Sequence, residues 1–283
     1  MKICRTIESL AAELSLAGHK SVGFVPTMGF LHAGHLSLVQ KCRQENDLVA
    51  VSIYVNPSQF GPNEDLNRYP RDPECDIALL EKEKTDLLFL PDTKEIYPPG
   101  YATYVCVEGL ESVLCGKSRP GHFRGVATVV LKLFNLVGPQ RAYFGQKDAQ
   151  QVIIIKKLVR DLHMPVQIRV LPIVRDPDGM ALSSRNVYLA PAERLAARHL
   201  PQALAAAAVL IGNGVEDVPV LKKAMAEELA KNSLIDIDYI AVARLQDLAE
   251  LAVIEPENTL IAAAIRVGTT RLIDNLLLGD LSC

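Results

Sequence analysis

Over its first two thirds this chain alternates short apolar runs with stretches of helical periodicity, and that alternation limits the possible folds more than any other feature. Residues 21–25 read as a strand, and 35–46 as a helix with Leu36, Val39 and Cys42 on one side. Residues 47–55 are almost unbroken apolar sequence, the pattern of a strand covered on both faces. A helix over 72–84 starts at Asp72-Pro73, followed by a strand over 86–90. His122–Val137 is a long apolar helix and Arg141–Gly145 a strand. Asp148 can cap a helix running to His163, with Val152, Ile155, Val159 and Leu162 at helical spacing. Residues 166–174 form a last strand. Strands separated by helices predict an α/β chain: a Rossmann-like parallel sheet flanked by helices, with right-handed crossovers.

The texture changes at the turn-rich segment 175–179, which reads as a hinge. Two alanine-rich helices follow, over 191–211 and 218–231, and then strand-like runs over 235–242, 259–267 and 270–276. We therefore expect two domains: a Rossmann-like domain over residues 1–175, and a smaller α+β C-terminal domain over 176–283.

A net charge of −3 over 283 residues argues against nucleic acid as a partner, since such proteins need a basic surface. The N-terminus has no apolar core of signal-peptide length. The longest apolar stretches are interrupted, one by Lys132 and the alanine-rich one by Gln202, so no membrane span is expected. The expectation is a cytoplasmic chain with no membrane partner. Its six cysteines form no CxxC pair, so they read as reduced thiols, and no metal site of the zinc type is expected.

The chemistry concentrates where strands hand over to helices. After the first strand comes Pro26-Thr27-Met28-Gly29-Phe30-Leu31-His32-Ala33-Gly34-His35. Glycines let backbone approach a ligand closely, and the first turn of a helix attracts anions. His32 and His35, three residues apart, add side-chain donors. Asn56-Pro57-Ser58-Gln59-Phe60-Gly61 follows the next strand, Phe144-Gly145-Gln146-Lys147-Asp148 a later one, and Leu182-Ser183-Ser184-Arg185 the last. Ligands of open parallel sheets lie outside the carboxyl ends of the strands, so all four segments point to one edge. Taken singly, each has an ordinary structural explanation as a cap, a turn or a surface ion pair. Lys147 and Arg185 can neutralise phosphates, and Gln59 and Gln151 can hold a carboxylate without competing as nucleophiles. The chain has no GxSxG elbow and no GxxxxGK[ST] loop. With no protein nucleophile evident, two substrates reacting with each other while bound is the simplest chemistry.

PTMGFLHAGH, NPSQFG, SRPGHFRGV, YFGQKDAQQ and DGMALSSRN, in this order over about residues 20–190, resemble the successive motifs of the pantoate–β-alanine ligases. HAGH resembles the HxGH signature of the wider nucleotidylyltransferase superfamily. The resemblance implies that ATP activates pantoate as pantoyl adenylate, which β-alanine then converts to pantothenate. ATP is thus a substrate, with Mg²⁺ as cofactor, and a homodimer is implied. Carried over by residue, His35, His32 and Lys147 would be catalytic. ATP would meet Met28, Gly29, Phe30, Leu31, His32, Ala33, Gly34 and His35, then Gly145, Gln146, Lys147 and Asp148, and then Val174, Leu182, Ser183, Ser184 and Arg185. Gln59, Gln151 and Phe144 would line the pantoate site, with Arg119 and His122 as weaker candidates. Gln146 and Leu182 depart from the glutamate and methionine usual in the family. Two alternatives to a ligase are a nucleotidylyltransferase that stops after moving a nucleotide, and a nucleotide sensor without turnover.

Overall fold

A computed structural model describes residues 1–281. Six parallel strands form the main sheet: β1 (Lys2–Cys4), β2 (Val22–Thr27), β3 (Leu48–Ile53), β4 (Leu87–Phe89), β5 (Arg141–Gly145) and β6 (Gln167–Leu171). Their spatial order is β1-β4-β3-β2-β5-β6. Setting β1 aside, this is the 3-2-1-4-5 order of a doubly wound sheet, with its switch point between β2 and β5. Seven helices connect or cover these strands: α1 (Ile7–Ser15), α2 (Ala33–Glu45), α3 (Pro73–Lys82), α4 (Thr93–Ile96), α5 (Cys115–Ser118), α6 (His122–Val137) and α7 (Ala149–Asp161).

The chain continues through α8 (Pro191–Ala197), α9 (His199–Gly212) and α10 (Val218–Leu229) to an antiparallel sheet, β7 (Ile235–Arg244), β8 (Asn258–Val267) and β9 (Thr270–Gly279). One side of this sheet packs Ile261, Ala263 and Ile265 onto α8–α10. Leu260 and Ala262, alternate residues of β8, join the core of the main sheet instead. The period-two alternation of one strand thus binds the smaller sheet to both layers.

Several elements depart from the sequence reading. β1 and α1 were not expected. β1 is only three residues long, and α1 starts at Thr6 with a capping box closed by Ser9 rather than the usual Glu or Gln. The strand expected over 166–174 ends at Leu171, which frees Pro172–Val174 to turn into the site. Segment 175–179, read from the sequence as a hinge, is tied down by side chains here. Arg175 bridges to Ala181 and pairs with Asp274, while Arg194 grips Asp176 and Asp178.

The alanine-rich helix is interrupted at Arg198. Pro191–Gly212 as a whole is long and apolar enough by composition to cross a membrane, so Gln202 does not interrupt it as expected. Its residues Leu200, Ala203, Leu204 and Ala207 are instead buried in the core of the smaller sheet. Cys4, Cys42, Cys75, Cys106 and Cys115 are free thiols; Cys283 lies outside the described residues.

Candidate active site

A cavity of about 230 Å³ lies at the switch point, between the ends of β2 and β5. Its wall brings together Met28, His32, Gly34 and His35 with Gln59, Phe144, Gly145, Lys147, Asp148 and Gln151. Val174, Leu182, Ser183, Ser184 and Arg185 complete it, together with Arg119 and His122. All four segments named from the sequence therefore reach one space. Through Lys147, Asp148, Ser183 and Arg185 the cavity opens into a cleft of about 850 Å³ beside the smaller sheet.

α2 begins at Ala33, and its N-cap is His32. Histidine is not among the usual capping residues, but here the Gly34 N–H donates to His32 Nδ1 at 3.2 Å. The His32 N–H in turn donates to His35 Nδ1 at 3.4 Å. Gly34 suits the tight fit, since a Cβ there would meet the His32 ring at 3.0 Å. Both rings spend Nδ1 as an acceptor, so each neutral imidazole carries its proton on Nε2. Burial, with help from Lys147, pushes His32 down to about 4, and burial beside His32 holds His35 well below the usual histidine value. At neutral pH the pair therefore offers two uncharged N–H donors rather than two cations.

Gly29 takes φ +81° and Phe30 φ +51°. The N–H groups of Phe30 and Leu31 donate to the buried carboxylate of Asp76 at 2.8 and 2.7 Å. Asp76 therefore takes up amides that the sequence reading aimed at phosphate. Gly29 and Phe30 face a separate hollow with Asp76, Ala33 is exposed on the first turn, and none of Gly29, Phe30, Leu31 and Ala33 forms part of the cavity wall. The sequence carried no signal for Asp76, which reads there as an ordinary residue of the first turn of α3.

Gln59 is held from both ends of its amide. Asn56 Nδ2 donates to its Oε1 at 3.0 Å, and its Nε2 contacts Met28 Sδ at 3.1 Å. Its carbonyl accepts from His122 Nδ1 at 2.8 Å. The Arg119 guanidinium reaches His122 Nε2 at 3.0 Å and pairs with Glu64 at 2.6 Å. Burial, reinforced by Arg119, lowers His122 to about 4. Arg119 and His122 thus brace the Gln59 segment.

Asp148 occupies the N-cap position of α7, but its side chain makes no capping bond. Its carboxylate lies 3.6 Å from Lys147 Nζ. Gln146 turns away from the cavity, and its Nε2 donates to Asn275 Oδ1 at 3.2 Å. Arg185 does not stand free: Asp65 holds it through two bonds of 2.8 and 2.9 Å, beside the edge-to-face pair of Phe60 and Tyr69. The sequence reading missed Asp65, because a carboxylate 120 residues away leaves no local pattern.

A doubly wound sheet whose switch point carries an HxGH segment, a lysine turn and a serine-arginine segment defines a nucleotide-binding α/β enzyme of the HxGH type. The comparisons with known proteins narrow this. Residues 2–277 match the Pantoate-beta-alanine ligase family. The pantothenate synthetases of Thermotoga petrophila and Herpetosiphon aurantiacus are 53% and 51% identical, over 99% and 98% of this chain and 100% of their own lengths. The chain belongs to the pantoate-beta-alanine ligase family. The pantothenate synthetase structure from Thermus thermophilus superposes with a TM-score of 0.95 at 47% identity, covering 99% of this chain and 100% of that one. The ligase from Francisella tularensis, complexed with beta-gamma ATP and beta-alanine, gives 0.80 at 37% identity, covering 98% and 97%.

Proposed function

We propose that this chain condenses pantoate with β-alanine at the expense of ATP, by way of a pantoyl adenylate. The pantoate carboxylate attacks the α-phosphorus of ATP and the bond to pyrophosphate breaks. The amine of β-alanine then attacks the acyl carbon, AMP leaves, and an amide remains. One observation carries this reading. Two neutral imidazoles with Nε2–H to offer share a wall with a lysine and with two primary amides, Gln59 and Gln151.

His32 and His35 donate to the α-phosphate oxygens as charge builds on them, without first having to lose a proton. Lys147, Ser183, Ser184 and Arg185 take the β- and γ-phosphates, Arg185 exchanging Asp65 for phosphate. Met28, Gly34, Gly145, Val174 and Leu182 shape the nucleotide's bed, and Asp148 serves the ribose. Gln59, Gln151 and Phe144 hold pantoate. Phe30 and Leu31 support the loop through Asp76.

Among the described residues of the wall, Asp148 is the one carboxylate. That donor set suits an Mg²⁺ held mainly by phosphate oxygens and water, which would neutralise phosphate charge. Residues 1–175 form the catalytic domain and 176–283 a lid over the triphosphate. The protein works as a cytoplasmic homodimer.

The test is a product assay. With ATP, pantoate and β-alanine present, pantothenate, AMP and pyrophosphate should appear in equal amounts. Pyrophosphate release with a phosphate ester but not with pantoate would favour the nucleotidylyltransferase alternative. No AMP at all would favour the sensor.

A further inference from the structure

Two successive polar residues of β9, Asp274 and Asn275, are almost wholly buried, and none of the roles above uses them. Each grips a different phosphate-side segment. Asn275 Nδ2 donates to the carbonyls of Gln146 and Lys147 at 3.1 and 3.0 Å. Its Oδ1 accepts from Gln146 Nε2 at 3.2 Å. The whole amide is thus spent on one turn, and the reverse amide orientation would set its oxygen against two carbonyls. Asp274 pairs with Arg175 through bonds of 2.7 and 3.0 Å. Arg175 opens the turn that leads into Leu182–Arg185. The two residues are linked, since the Asn275 N–H donates to Asp274 Oδ1 at 2.8 Å. Opposite them in β8 stand Ala263 and Ala262.

We infer that Asn275 is a positioning residue for Lys147: it fixes the backbone from which the ammonium reaches the triphosphate. The inference rests on the function proposed above. A functional side chain is held precisely when hydrogen bonds from a rigid element support its backbone, and here that element is a strand of the smaller sheet. Misplacing a reacting group by about 1 Å costs on the order of 100-fold in rate.

The test is a double-mutant cycle with Lys147→Ala. Turnover is followed by pantoate-dependent pyrophosphate exchange and ATP affinity by calorimetry. Asn275→Ala should lower kcat/KM for ATP about 10- to 100-fold in the parent enzyme, but less than about 3-fold once Lys147 is gone. The KM for β-alanine should stay within about 2-fold. Asn275→Asp keeps the volume and loses both donors, and serves as the second variant should the alanine form fail to fold. Equal losses in both backgrounds would overturn the inference, as would an undiminished kcat/KM in the single variant. Failure of the functional reading would show separately, as a parent enzyme that binds ATP but does not turn over pantoate. The affinity cycle then still decides the role of Asn275.

Discussion

Gly125 sits where α6 crosses the segment carrying Gln59, and replacing it with alanine tests how that amide is held. A Cβ at this position would lie 2.4 Å from the Ser58 carbonyl oxygen, 2.6 Å from its carbon and 2.7 Å from Gln59 Cα. All three are backbone atoms, so no side-chain rotation relieves the clash. Ordinary contact begins near 3.4 Å, so segment 57–59 must retreat from the helix by about 1 Å. Two bonds tie the segment and its neighbour to α6: Asn56 Nδ2 to the Gly125 carbonyl at 3.1 Å, and His122 Nδ1 to the Gln59 carbonyl at 2.8 Å. Both stretch if the segment moves. Overpacking of this kind costs about 1–3 kcal/mol, or a fall in Tm of about 2–5 °C for a chain of this size. Displacing a substrate-holding amide by about 1 Å should lower kcat/KM for pantoate on the order of 100-fold, with a much smaller effect on the KM for ATP. Melting curves and steady-state kinetics read both effects. An enzyme with parental Tm and parental kcat/KM for pantoate would refute the reasoning.

Three further outcomes are expected. His35→Ala should reduce kcat by about 100- to 1,000-fold, as befits a preorganised donor, and near-normal turnover would remove His35 from the chemistry. Asp76→Ala strands the N–H groups of Phe30 and Leu31 at a cost of about 1–3 kcal/mol each. It should lower Tm and raise the KM for ATP, and unchanged melting would show that the loop does not depend on Asp76. The third concerns pH. His32 and His122 titrate at about 4 in the fold against about 6.5 when unfolded, so between these values the unfolded chain binds more protons. Stability should therefore fall as pH drops from about 6.5 toward 4. Tm measured across that range should decline, and less steeply in His122→Gln; a flat curve in the parent protein would contradict the assignment of neutral imidazoles.

The sheet and the meeting of four segments at its edge were legible because both follow from local pattern. Apolar runs announce buried strands, and the glycine-histidine, amide, lysine and serine-arginine segments each follow such a run. What escaped depends on distant pairing or on an unusual local solution. His32 acts as a cap through an imidazole rather than a hydroxyl or carboxylate. Asp148 stands where a cap belongs, yet its carboxylate lies beside Lys147. Asp76, Asp65 and Asn275 act across 45 or more residues, and no periodicity records such partners. The interruption at Arg198, by contrast, carries a local mark: Pro201 has no N–H to offer the Ala197 carbonyl four residues back, and its ring clashes with that carbonyl, so α8 ends there and α9 starts afresh.

The central claim is that the imidazole pair and Lys147 activate a carboxylate at the α-phosphate of ATP in this one cavity. Exchange of labelled pyrophosphate into ATP, run with pantoate and without β-alanine, isolates that step. The account predicts exchange that requires pantoate, proceeds in the absence of the amine, and is strongly reduced but still measurable in His35→Ala and Lys147→Ala. Exchange independent of pantoate, or none until β-alanine is added, would contradict it.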